Sequence, residues 1–352
     1  MPRIHHRFCM NDSLTIMHAI FTSGIAGSER YCIDLANCQA RLGHDVHVVG
    51  SPHSEVRLEL DPAVKYHAMQ KSILRRLNMG RLAMQLQLDV FHGHLRDGCK
   101  AGLWLRKSVA KISTLHLGYK PRHHKRMDGL ICINPSQSDA LQDTGHTFRL
   151  VPNWLPTASP YAEQCAGLRM DLSIAPETFV VGTVARLVEC KGVRYLIEAF
   201  KSSAAANAAL VLIGSGDEEP ALRELAGSDE RIHFCGYRSD VRQVLSEFDL
   251  FVSSSLEEPF GLAILEAMDA RLPIVATDTE GARFLLSDRA DRLVAPGDAQ
   301  ALGTEIKRVM DSVMTHGSDQ PTYELLGFSQ NENVRAVLEF YRAVLSSVRK
   351  DQ

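Results

Sequence analysis

Residues 257–277, EEPFGLAILEAMDARLPIVAT, constrain the fold of this chain more than any other segment. An apolar helical run follows Gly261, Pro273 ends it, and the next three residues, Ile-Val-Ala, are typical of a buried strand. Upstream, DLFVSSS at 249–255 has the pattern of another strand. The order strand, loop, helix, strand predicts a βαβ unit, and ligands of open α/β sheets bind at the carboxyl edge where its loop opens.

This segment also places two carboxylates and free amides near one helix end. Glu258 stands at the helix entrance, and Glu266 lies four residues beyond Leu262, about 40° away around the helix. We expect the amides of Phe260, Gly261 and Leu262 to point at the ligand, because a helix N-terminus favours a phosphate. Carboxylates accept hydrogen bonds from hydroxyl groups. A ligand that carries both phosphates and hydroxyls is a nucleotide sugar.

Two glutamates separated by seven residues, with Phe-Gly-Leu after the first and Glu-Ala-Met at the second, resemble the signature of retaining glycosyltransferases of family 4. The resemblance implies the GT-B fold, an α/β architecture of two Rossmann-like domains that face each other across a cleft. It also implies that Glu258 holds a donor-sugar hydroxyl and that Glu266 holds the ribose hydroxyls. A solvated helix carboxylate remains an equal interpretation of Glu266 taken alone.

Two cations are predicted at the same sheet edge. Arg186 ends the strand VVGTVAR, and Lys191 opens the next helix, before Gly192. Together they would neutralise a diphosphate and stabilise it as a leaving group without a metal. The family has this arginine and lysine at the same spacing, in a string similar to ARLVECKG. The alternative is that both are surface charges on a loop. We expect no cofactor and no metal, and the acidic run 217–219 is predicted to start a helix.

Three further candidates follow predicted strands. Gly27, in the turn GIAGSER, lets backbone amides approach a phosphate, although the family's usual glycine pair is broken here by Ala26. His116 ends the strand STLH and looks like a histidine that the family places beside the transferred sugar. Tyr237 and Arg238 follow a strand at the place where the family holds the nucleotide base. A tight turn or a purely structural role is the alternative at each position.

Two features of the pattern leave roles open. His92 and His94, in FHGHLRDG, also stand at a strand end, where an acceptor pocket and a structural role are equally good interpretations. After the strand PIVATD, the string TEGARFLL puts Glu280 and Phe284 at places that are unusual for the family. This departure leaves the sugar or acceptor contacts of that loop undecided, but it does not affect the predicted diphosphate site.

At 352 residues the chain exceeds what one hydrophobic core usually supports, so two domains are predicted. Residues 1–155 form the expected N-terminal Rossmann-like domain for the acceptor, and residues 156–330 the C-terminal Rossmann-like domain for the donor nucleotide sugar. VPNWLPTASP, at 151–160, carries three prolines and is predicted to be the linker. The resemblance implies that the final amphipathic helix, 331–350, packs back on the N-terminal domain.

Composition limits the compartment and the chemistry. The eight cysteines are scattered and form no CxxC pair, a pattern typical of reduced, packed thiols rather than of disulfides or zinc ligands. No apolar run reaches 18 residues, so no transmembrane helix is expected. The N-terminal residues, MPRIHHRFCMND, lack the apolar core of a signal peptide. These observations predict a cytoplasmic protein.

The charge is distributed unevenly along the chain. Residues 1–155 contain 20 Lys+Arg and 12 Asp+Glu, whereas the remainder contains 19 and 30. The basic half includes KSILRRLNMGRLAMQLQ at 71–87 and KPRHHKR at 120–126, and basic residues among apolar ones can lie on an anionic bilayer. The resemblance adds that many such bacterial enzymes build lipopolysaccharide at the inner membrane.

Both basic stretches have a second interpretation. The first can be a core-packed helix with a solvated basic face. The second can grip a phosphorylated acceptor, and its histidines, His123 and His124, would then strengthen the grip below about pH 6.5. A chance drift of charge between the two halves is the third possibility.

The expected activity is transfer of a sugar, with retention, from a nucleotide sugar to a hydroxyl of a glycan or glycolipid acceptor. Retention without a clear protein nucleophile implies front-face attack, in which the leaving phosphate helps to deprotonate the acceptor. A nucleotide-sugar epimerase of similar fold and a non-catalytic nucleotide-sugar-binding protein are the alternatives. No GxGxxG follows the first strand, which disfavours a dehydrogenase. No nucleic-acid partner is expected, and the donor base, the sugar and the acceptor stay open.

Overall fold

The structure, a computed structural model, describes residues 13–70, 72, 74–155, 167–203, 207–288, 293–316 and 321–350. The chain divides into two compact units. Unit 1 consists of residues 1–153 and 330–352, and unit 2 of residues 154–329. No helix in the described part of the chain is long and apolar enough to cross a membrane.

The described part of unit 1 contains one seven-stranded parallel sheet. Its strands are β1 (Thr15–Ala19), β2 (Asp45–Gly50), β3 (Lys65–Ala68), β4 (Val90–His94), β5 (Ala110–Thr114), β6 (Gly129–Cys132) and β7 (Phe148–Leu150). They lie in the order β3-β2-β1-β4-β5-β6-β7. The helices between them are α1 (Gly27–Arg41), α2 (Arg75–Gln85), α3 (Leu95–Ala101), α4 (Pro121–His124) and α5 (Pro135–Asp139).

Unit 2 contains a six-stranded parallel sheet in its described part. The strands are β8 (Phe179–Val184), β9 (Ala208–Ile213), β10 (Ile232–Phe234), β11 (Leu250–Ser253), β12 (Ile274–Thr277) and β13 (Leu293–Val294), in the order β10-β9-β8-β11-β12-β13. The helices are α6 (Leu168–Asp171), α7 (Val193–Ser203), α8 (Glu219–Ala226), α9 (Val241–Leu245), α10 (Leu262–Asp269), α11 (Glu280–Leu285) and α12 (Ala299–His316).

Each sheet reverses its strand order at one point. In unit 1 the reversal lies between β1 and β4, and in unit 2 it lies between β8 and β11. The loops that leave the carboxyl ends of the two central strands diverge there and open a crevice, which is where ligands of doubly wound sheets bind. The prediction of two parallel-sheet α/β domains is therefore confirmed.

The last helix, α13 (Gln330–Lys350), belongs to unit 1 although it follows unit 2 in the chain. Its Tyr341 is fully buried and hydrogen-bonds His92 on β4, and Arg349 pairs with Asp89 at 2.6 Å. At the other crossing between the units, Trp154 is buried. Residues 156–160 of the proline-rich segment lie outside the described residues.

The structure differs from the sequence prediction at α3. The string CKAGLWLRKS, at 99–108, has a pattern that predicts a helix there, but the helix begins directly after β4 at Leu95 and ends at Ala101. The reason is close packing. A Cβ on Gly98 would lie 2.1 Å from the carbonyl oxygen of Ala19 on β1, and one on Gly102 would lie 2.1 Å from the Phe91 ring. Glycines that weaken a helix in isolation are needed here for contact with the sheet.

We expect Gly98→Ala to destabilise the protein by about 1 to 3 kcal/mol, because the added methyl group must displace backbone in a packed core. Gly80→Ala on α2 is the matched control, since its added Cβ meets nothing within 4 Å and removing a helical glycine stabilises by about 0.5 to 1 kcal/mol. Urea denaturation followed by circular dichroism measures both. A Gly98→Ala variant as stable as the parent would contradict the packing of α3 against β1.

Candidate functional site

The predicted cations and the first glutamate lie in two neighbouring loops of unit 2. Arg186 and Lys191 stand in the loop after β8, and Glu258 stands in the loop after β11. Because β8 and β11 are the two strands at the reversal of the sheet, both loops open at its crevice. The strand-end positions seen in the sequence therefore become one site in the fold.

Hydrogen bonds to backbone carbonyls join these loops. The Ser254 hydroxyl donates to the carbonyl of Lys191 at 3.1 Å, and the amide of Leu256 donates to the carbonyl of Cys190 at 2.8 Å. Gly192 has a φ of +57°, and a Cβ there would lie 2.3 Å from the carbonyl oxygen of Ser254. Only glycine satisfies both the left-handed backbone and the close approach. This approach of Gly192 to Ser254 sets the distance between the two loops, and no side chain of the site takes part in it.

The side chains at this junction form an ion pair. Lys191 Nζ donates to Glu258 Oε2, and both side chains are 17% exposed. Arg186 is exposed, and within the described residues its guanidinium makes no ion pair. One cation is thus balanced by a carboxylate and the other is available to an anion. The arrangement suits a ligand that brings phosphate oxygens to the cations and hydroxyl groups to the carboxylate.

Helix α10 adds backbone donors beside Glu258. Gly261, with a φ of +90°, precedes the helix, and its carbonyl accepts the first helical bond, from the amide of Leu265, at 3.1 Å. The amides of the preceding turn, from Leu262 onward, therefore have no acceptor inside the helix. The phenyl ring of Phe260 is buried, and its centroid lies 6.2 Å from that of the Phe284 ring. At this position, therefore, only the backbone can contact a ligand.

The first turn of α11, which follows β12, contacts the backbone around Glu258. The amide of Gly281 donates to the carbonyl of Glu258 at 2.8 Å, and a Cβ on Gly281 would lie 2.2 Å from the carbonyl oxygen of Phe260. Sequence reasoning missed this glycine, although it stands in the TEGARFLL string already marked as unusual. Phe284 in that string packs on Phe260 and on Phe328, so its role in unit 2 is packing.

The remaining unit 2 candidates follow other strands of the same sheet or lie on α10. Glu266 lies one turn into α10 and is half-buried. Tyr237 follows β10 and is 66% exposed, which leaves its ring accessible for stacking. Arg238 is held by Asp240 through two hydrogen bonds of 2.8 and 2.6 Å. The acidic run 217–219 leads into α8, where Glu219 pairs with Arg223 at 2.8 Å, as expected for a helix start.

Two predicted site residues lie in unit 1 instead. Gly27 is exposed and is the first residue of α1. The neighbouring amide of Ala26 already donates to Glu29 Oε2 at 3.0 Å, so a carboxylate of the helix itself occupies part of this turn. His116 follows β5 and is 9% exposed. The other candidates, from Arg186 to Glu266, are all in unit 2.

His116 ends a row of buried histidines. His18 Nδ1 lies 3.0 Å from His94 Nε2, and His94 Nδ1 lies 3.1 Å from His116 Nε2. Burial lowers the pKa of His18 to about 4 and that of His116 to about 3, so both are neutral at pH 7. His94 and His116 are recognisable in the sequence as strand-end residues, whereas His18 is not, although it lies opposite His92 in the register of β1 and β4.

The structure bears on two predictions from the sequence, the role of His123 and His124 at low pH and the absence of a metal. His123 and His124 are buried, and burial lowers the pKa of both, that of His124 to about 4. The prediction that they strengthen an anion site below about pH 6.5 is therefore wrong.

Separately, ligand atoms of His18, Cys32 and His94 lie within 4.8 Å of one another, and burial raises the pKa of the Cys32 thiol. The absence of a metal stays a prediction.

Comparison with known proteins gives matches over both units. Residues 178–312 match the family model "Glycosyl transferases group 1", and residues 25–159 match "Glycosyltransferase Family 4". The lipopolysaccharide core biosynthesis glycosyltransferase LpsE of Rhizobium meliloti is 27% identical over 343 residues, 91% of this chain and 96% of LpsE. LpsD of the same organism is 27% identical over 320 residues, 85% of this chain and 88% of LpsD.

Solved structures share the fold. Anabaena Alr3699/HepE, crystallised with UDP and glucose, superposes with a TM-score of 0.77 at 20% identity and covers 94% of this chain and 100% of its own. WaaG, a glycosyltransferase involved in lipopolysaccharide biosynthesis, gives a TM-score of 0.67 at 18% identity and covers 95% of this chain and 98% of its own. At these identities the likeness establishes the architecture.

The buried histidines predict an acid-sensitive protein. Because the folded pKa values of His18 and His116 lie below the ordinary 6.5, their stabilising effect is complete above about pH 6.5 and is lost as the pH falls towards 4. We expect the free energy of unfolding to fall by more than about 2 kcal/mol between pH 7.5 and 4.5, measured by urea denaturation. Replacing the exposed His53 with Gln should leave the profile unchanged, and a flat parent profile would contradict the burial.

Proposed function

The chain belongs to the glycosyltransferases, with a group 1 and a family 4 domain on the GT-B fold, and from this we propose that it transfers a sugar from a nucleotide sugar to a hydroxyl of a bacterial cell-surface glycan or glycolipid. The observation that carries the proposal is the Lys191–Glu258 pair beside the start of α10 in the unit 2 crevice. The two domain matches favour transfer over the epimerase and the non-catalytic binding protein.

In the proposed site, unit 2 binds the donor. Arg186, Lys191 and the first amides of α10 bind the diphosphate and stabilise the charge that develops as it leaves. Glu258 accepts a hydrogen bond from a hydroxyl of the donor sugar. Since its carboxylate is already engaged by Lys191, it is better placed to orient the sugar than to attack it. Within the proposed transfer with retention, this favours front-face attack, in which the leaving phosphate helps to deprotonate the acceptor, over attack by Glu258.

The nucleoside is proposed to lie further along the same edge. Glu266, on α10, accepts hydrogen bonds from the ribose hydroxyls, and Tyr237 lies against the base with its exposed ring. Arg238 is oriented by Asp240 and contributes mainly to the shape of this turn. Anabaena HepE, of the same fold, is described with UDP and with UDP-glucose, which makes a UDP-sugar the first donor to test.

The charges of the site imply that no divalent ion is needed, because two cations and a helix end already face the diphosphate. Unit 1 is proposed to bind the acceptor, with His116 beside the transferred sugar. The names of LpsE and LpsD place those relatives in lipopolysaccharide core biosynthesis, and we propose an acceptor of that class for this chain.

We expect Lys191→Ala and Arg186→Ala each to lower kcat at least about a hundredfold, the usual effect of removing one donor that stabilises developing charge. Arg194→Ala is the control, since Arg194 lies on the adjoining helix α7, pairs with Glu198 at 3.6 Å and lies 5.7 Å from the Tyr195 ring centroid, away from the predicted diphosphate contacts. Release of nucleoside diphosphate from UDP-, GDP- and ADP-sugars, with acceptor and EDTA present, is the measurement.

Activity within a few-fold of the parent in both cation variants would refute the diphosphate assignment. Loss of all activity in EDTA, restored by magnesium or manganese, would refute metal independence. Release of nucleoside diphosphate at the same rate with and without added acceptor would argue against transfer.

Helix α2 carries a surface suited to a membrane. Met79 and Ala83 are buried in the core of unit 1 and anchor the helix. Its outer side leaves large apolar residues exposed next to basic ones. We define the α2 surface as Leu74, Leu77, Met84, Trp104, Arg76 and Arg81. Lys71 and Ile73, also part of the predicted stretch, lie outside the described residues.

The α2 surface combines the two attractions that hold a protein on an anionic bilayer. Trp104 is 63% exposed and Leu77 59%, and the Arg76 guanidinium lies 5.4 Å from the Trp104 ring centroid. Exposed apolar groups clustered in this way mark an interaction surface, and each near-surface cation contributes about 1 kcal/mol on anionic lipid. We propose that the protein lies peripherally on the cytoplasmic face of the inner membrane, where glycolipid acceptors are available.

Replacing Arg76 and Arg81 with Ser should weaken binding to anionic vesicles at least about tenfold, because two near-surface cations are lost. The matched control replaces Lys307 and Arg308 with Ser on α12 of unit 2, which removes the same charge elsewhere. Co-sedimentation with anionic and neutral vesicles at low and high salt is the measurement. Equal binding by parent and variant, or no preference for anionic lipid, would contradict the membrane role.

A further inference from the structure

The histidine row in unit 1 begins at a glutamine. Gln39 Oε1, on α1, lies 2.8 Å from His18 Nε2, and the row continues through His94 to His116. Gln39, His18 and His94 have no solvent exposure, whereas His116 is 9% exposed. The contacts use both ring nitrogens of His18 and His94, but only Nε2 of His116 among the described residues. His116 Nδ1 is therefore the end of the row that a ligand can reach.

Tautomers along this row are coupled. A neutral imidazole carries one N–H and one lone pair, and an amide oxygen only accepts. Facing Gln39 Oε1, His18 Nε2 must carry the proton, so His18 Nδ1 accepts from His94 Nε2–H. By the same rule His94 Nδ1 accepts from His116 Nε2–H. The lone pair of His116 is thereby left on Nδ1.

A second branch of hydrogen bonds is consistent with the orientation of the Gln39 amide, whose Oε1 faces His18. The Thr114 hydroxyl donates to Tyr31 at 3.3 Å, so Thr114 Oγ1 accepts from His92 Nε2, 2.9 Å away. His92 Nδ1 then holds a lone pair and accepts from the Tyr341 hydroxyl. The Tyr341 oxygen keeps a lone pair, which suits an amide nitrogen of Gln39 on its side when Gln39 Oε1 faces His18.

The environment of Tyr341 agrees with this orientation. Burial raises the pKa of Tyr341 well above its ordinary value, and Gln39 opposes the rise, as an amide N–H directed at the phenol oxygen does. The Gln39 nitrogen makes no hydrogen bond of ordinary length in the described structure. With the nitrogen towards Tyr341, Oε1 faces His18, which is the orientation that starts the row.

We propose that Gln39, His18 and His94 are positioning residues that hold His116 as its Nε2–H tautomer, so that Nδ1 accepts a hydrogen bond from a substrate hydroxyl. The role of His116 beside the sugar rests on the proposed function, and the tautomer does not. Burial lowers the pKa of His116 to about 3, so its ring is neutral at pH 7 and is a weak base. Its contribution is to orient a hydroxyl group, and proton removal is left to the departing phosphate.

A bound metal is the competing use of the same atoms. His18, Cys32 and His94 offer ligand atoms within 4.8 Å of one another. A metal on His94 Nε2 would need the lone pair that the tautomer row places on Nδ1. The 3.0 Å contact between His18 and His94 is a hydrogen bond without a metal, and Cys32 packs among apolar residues that include Ile33 and Val48. These contacts favour the hydrogen-bonded row.

Nitrogen-15 NMR of histidine-labelled protein tests the tautomers directly, because a protonated ring nitrogen and a lone-pair nitrogen have widely separated shifts. We expect His116, His94 and His18 of the parent all to be protonated on Nε2. Gln39→Met, nearly isosteric but without a strong acceptor, should give a mixture of tautomers at His116. His67→Gln is the control, since it removes another histidine contact of the same sheet, 2.8 Å from His47, and should leave His116 unchanged.

Activity separates this inference from the proposed function. We expect Gln39→Met to lower kcat about threefold with little change in donor KM, because one neutral hydrogen bond biases the tautomer only modestly. A His116 protonated on Nδ1 in the parent, or one stoichiometric transition metal in the purified protein, would overturn the tautomer row whatever the activity. Parent tautomers as expected, with full activity in His116→Ala, would uphold the row and refute the role of His116 in transfer.

Discussion

The approach of the loop after β8 to the loop after β11 is the constraint on which the unit 2 site depends. At Gly192 the two backbones come so close that a Cβ would lie 2.3 Å from the Ser254 carbonyl oxygen. This contact brings Lys191 to Glu258, while Gly281 supports Glu258 from the other side. The site is therefore built by main chain first, and its charged side chains are carried on a framework that cannot shift without breaking hydrogen bonds.

Charge balance explains why such a site is stable before a ligand arrives. A half-buried lysine needs a partner, and Glu258 supplies it, because an uncompensated charge in that position would be costly. Arg186, which makes no ion pair among the described residues, remains in water, where an unpaired guanidinium costs little. A diphosphate that enters would find one cation free and one that it must share with a carboxylate. In the proposed site the same carboxylate would then be released to interact with sugar hydroxyls, so that binding of the two ends of the donor would be coupled.

Unit 1 uses a different principle. Its central strands carry buried histidines where parallel sheets usually carry aliphatic residues, and each imidazole is stable only because it is hydrogen-bonded. Such a network is energetically sensitive. One buried imidazole without its hydrogen bond destabilises the fold more than an apolar side chain at the same position would. In our proposal this costly network has a function, because the row that starts at Gln39 and ends at the partly exposed His116 sets the direction of the last hydrogen bond.

The sequence by itself determined the α/β class, the chain order of the strands, and the strand-end positions of Arg186, Lys191 and Glu258, since apolar periodicity and turn residues are local signals. It did not reveal β3, a short strand at the edge of the sheet, or the start of α3. Only the tertiary structure decided which distant residues meet. Lys191 and Glu258 are 67 positions apart, and His18 and His94 are 76 apart. Their contacts follow from the order of strands within each sheet, and that order depends on packing across the whole domain, which no local pattern records.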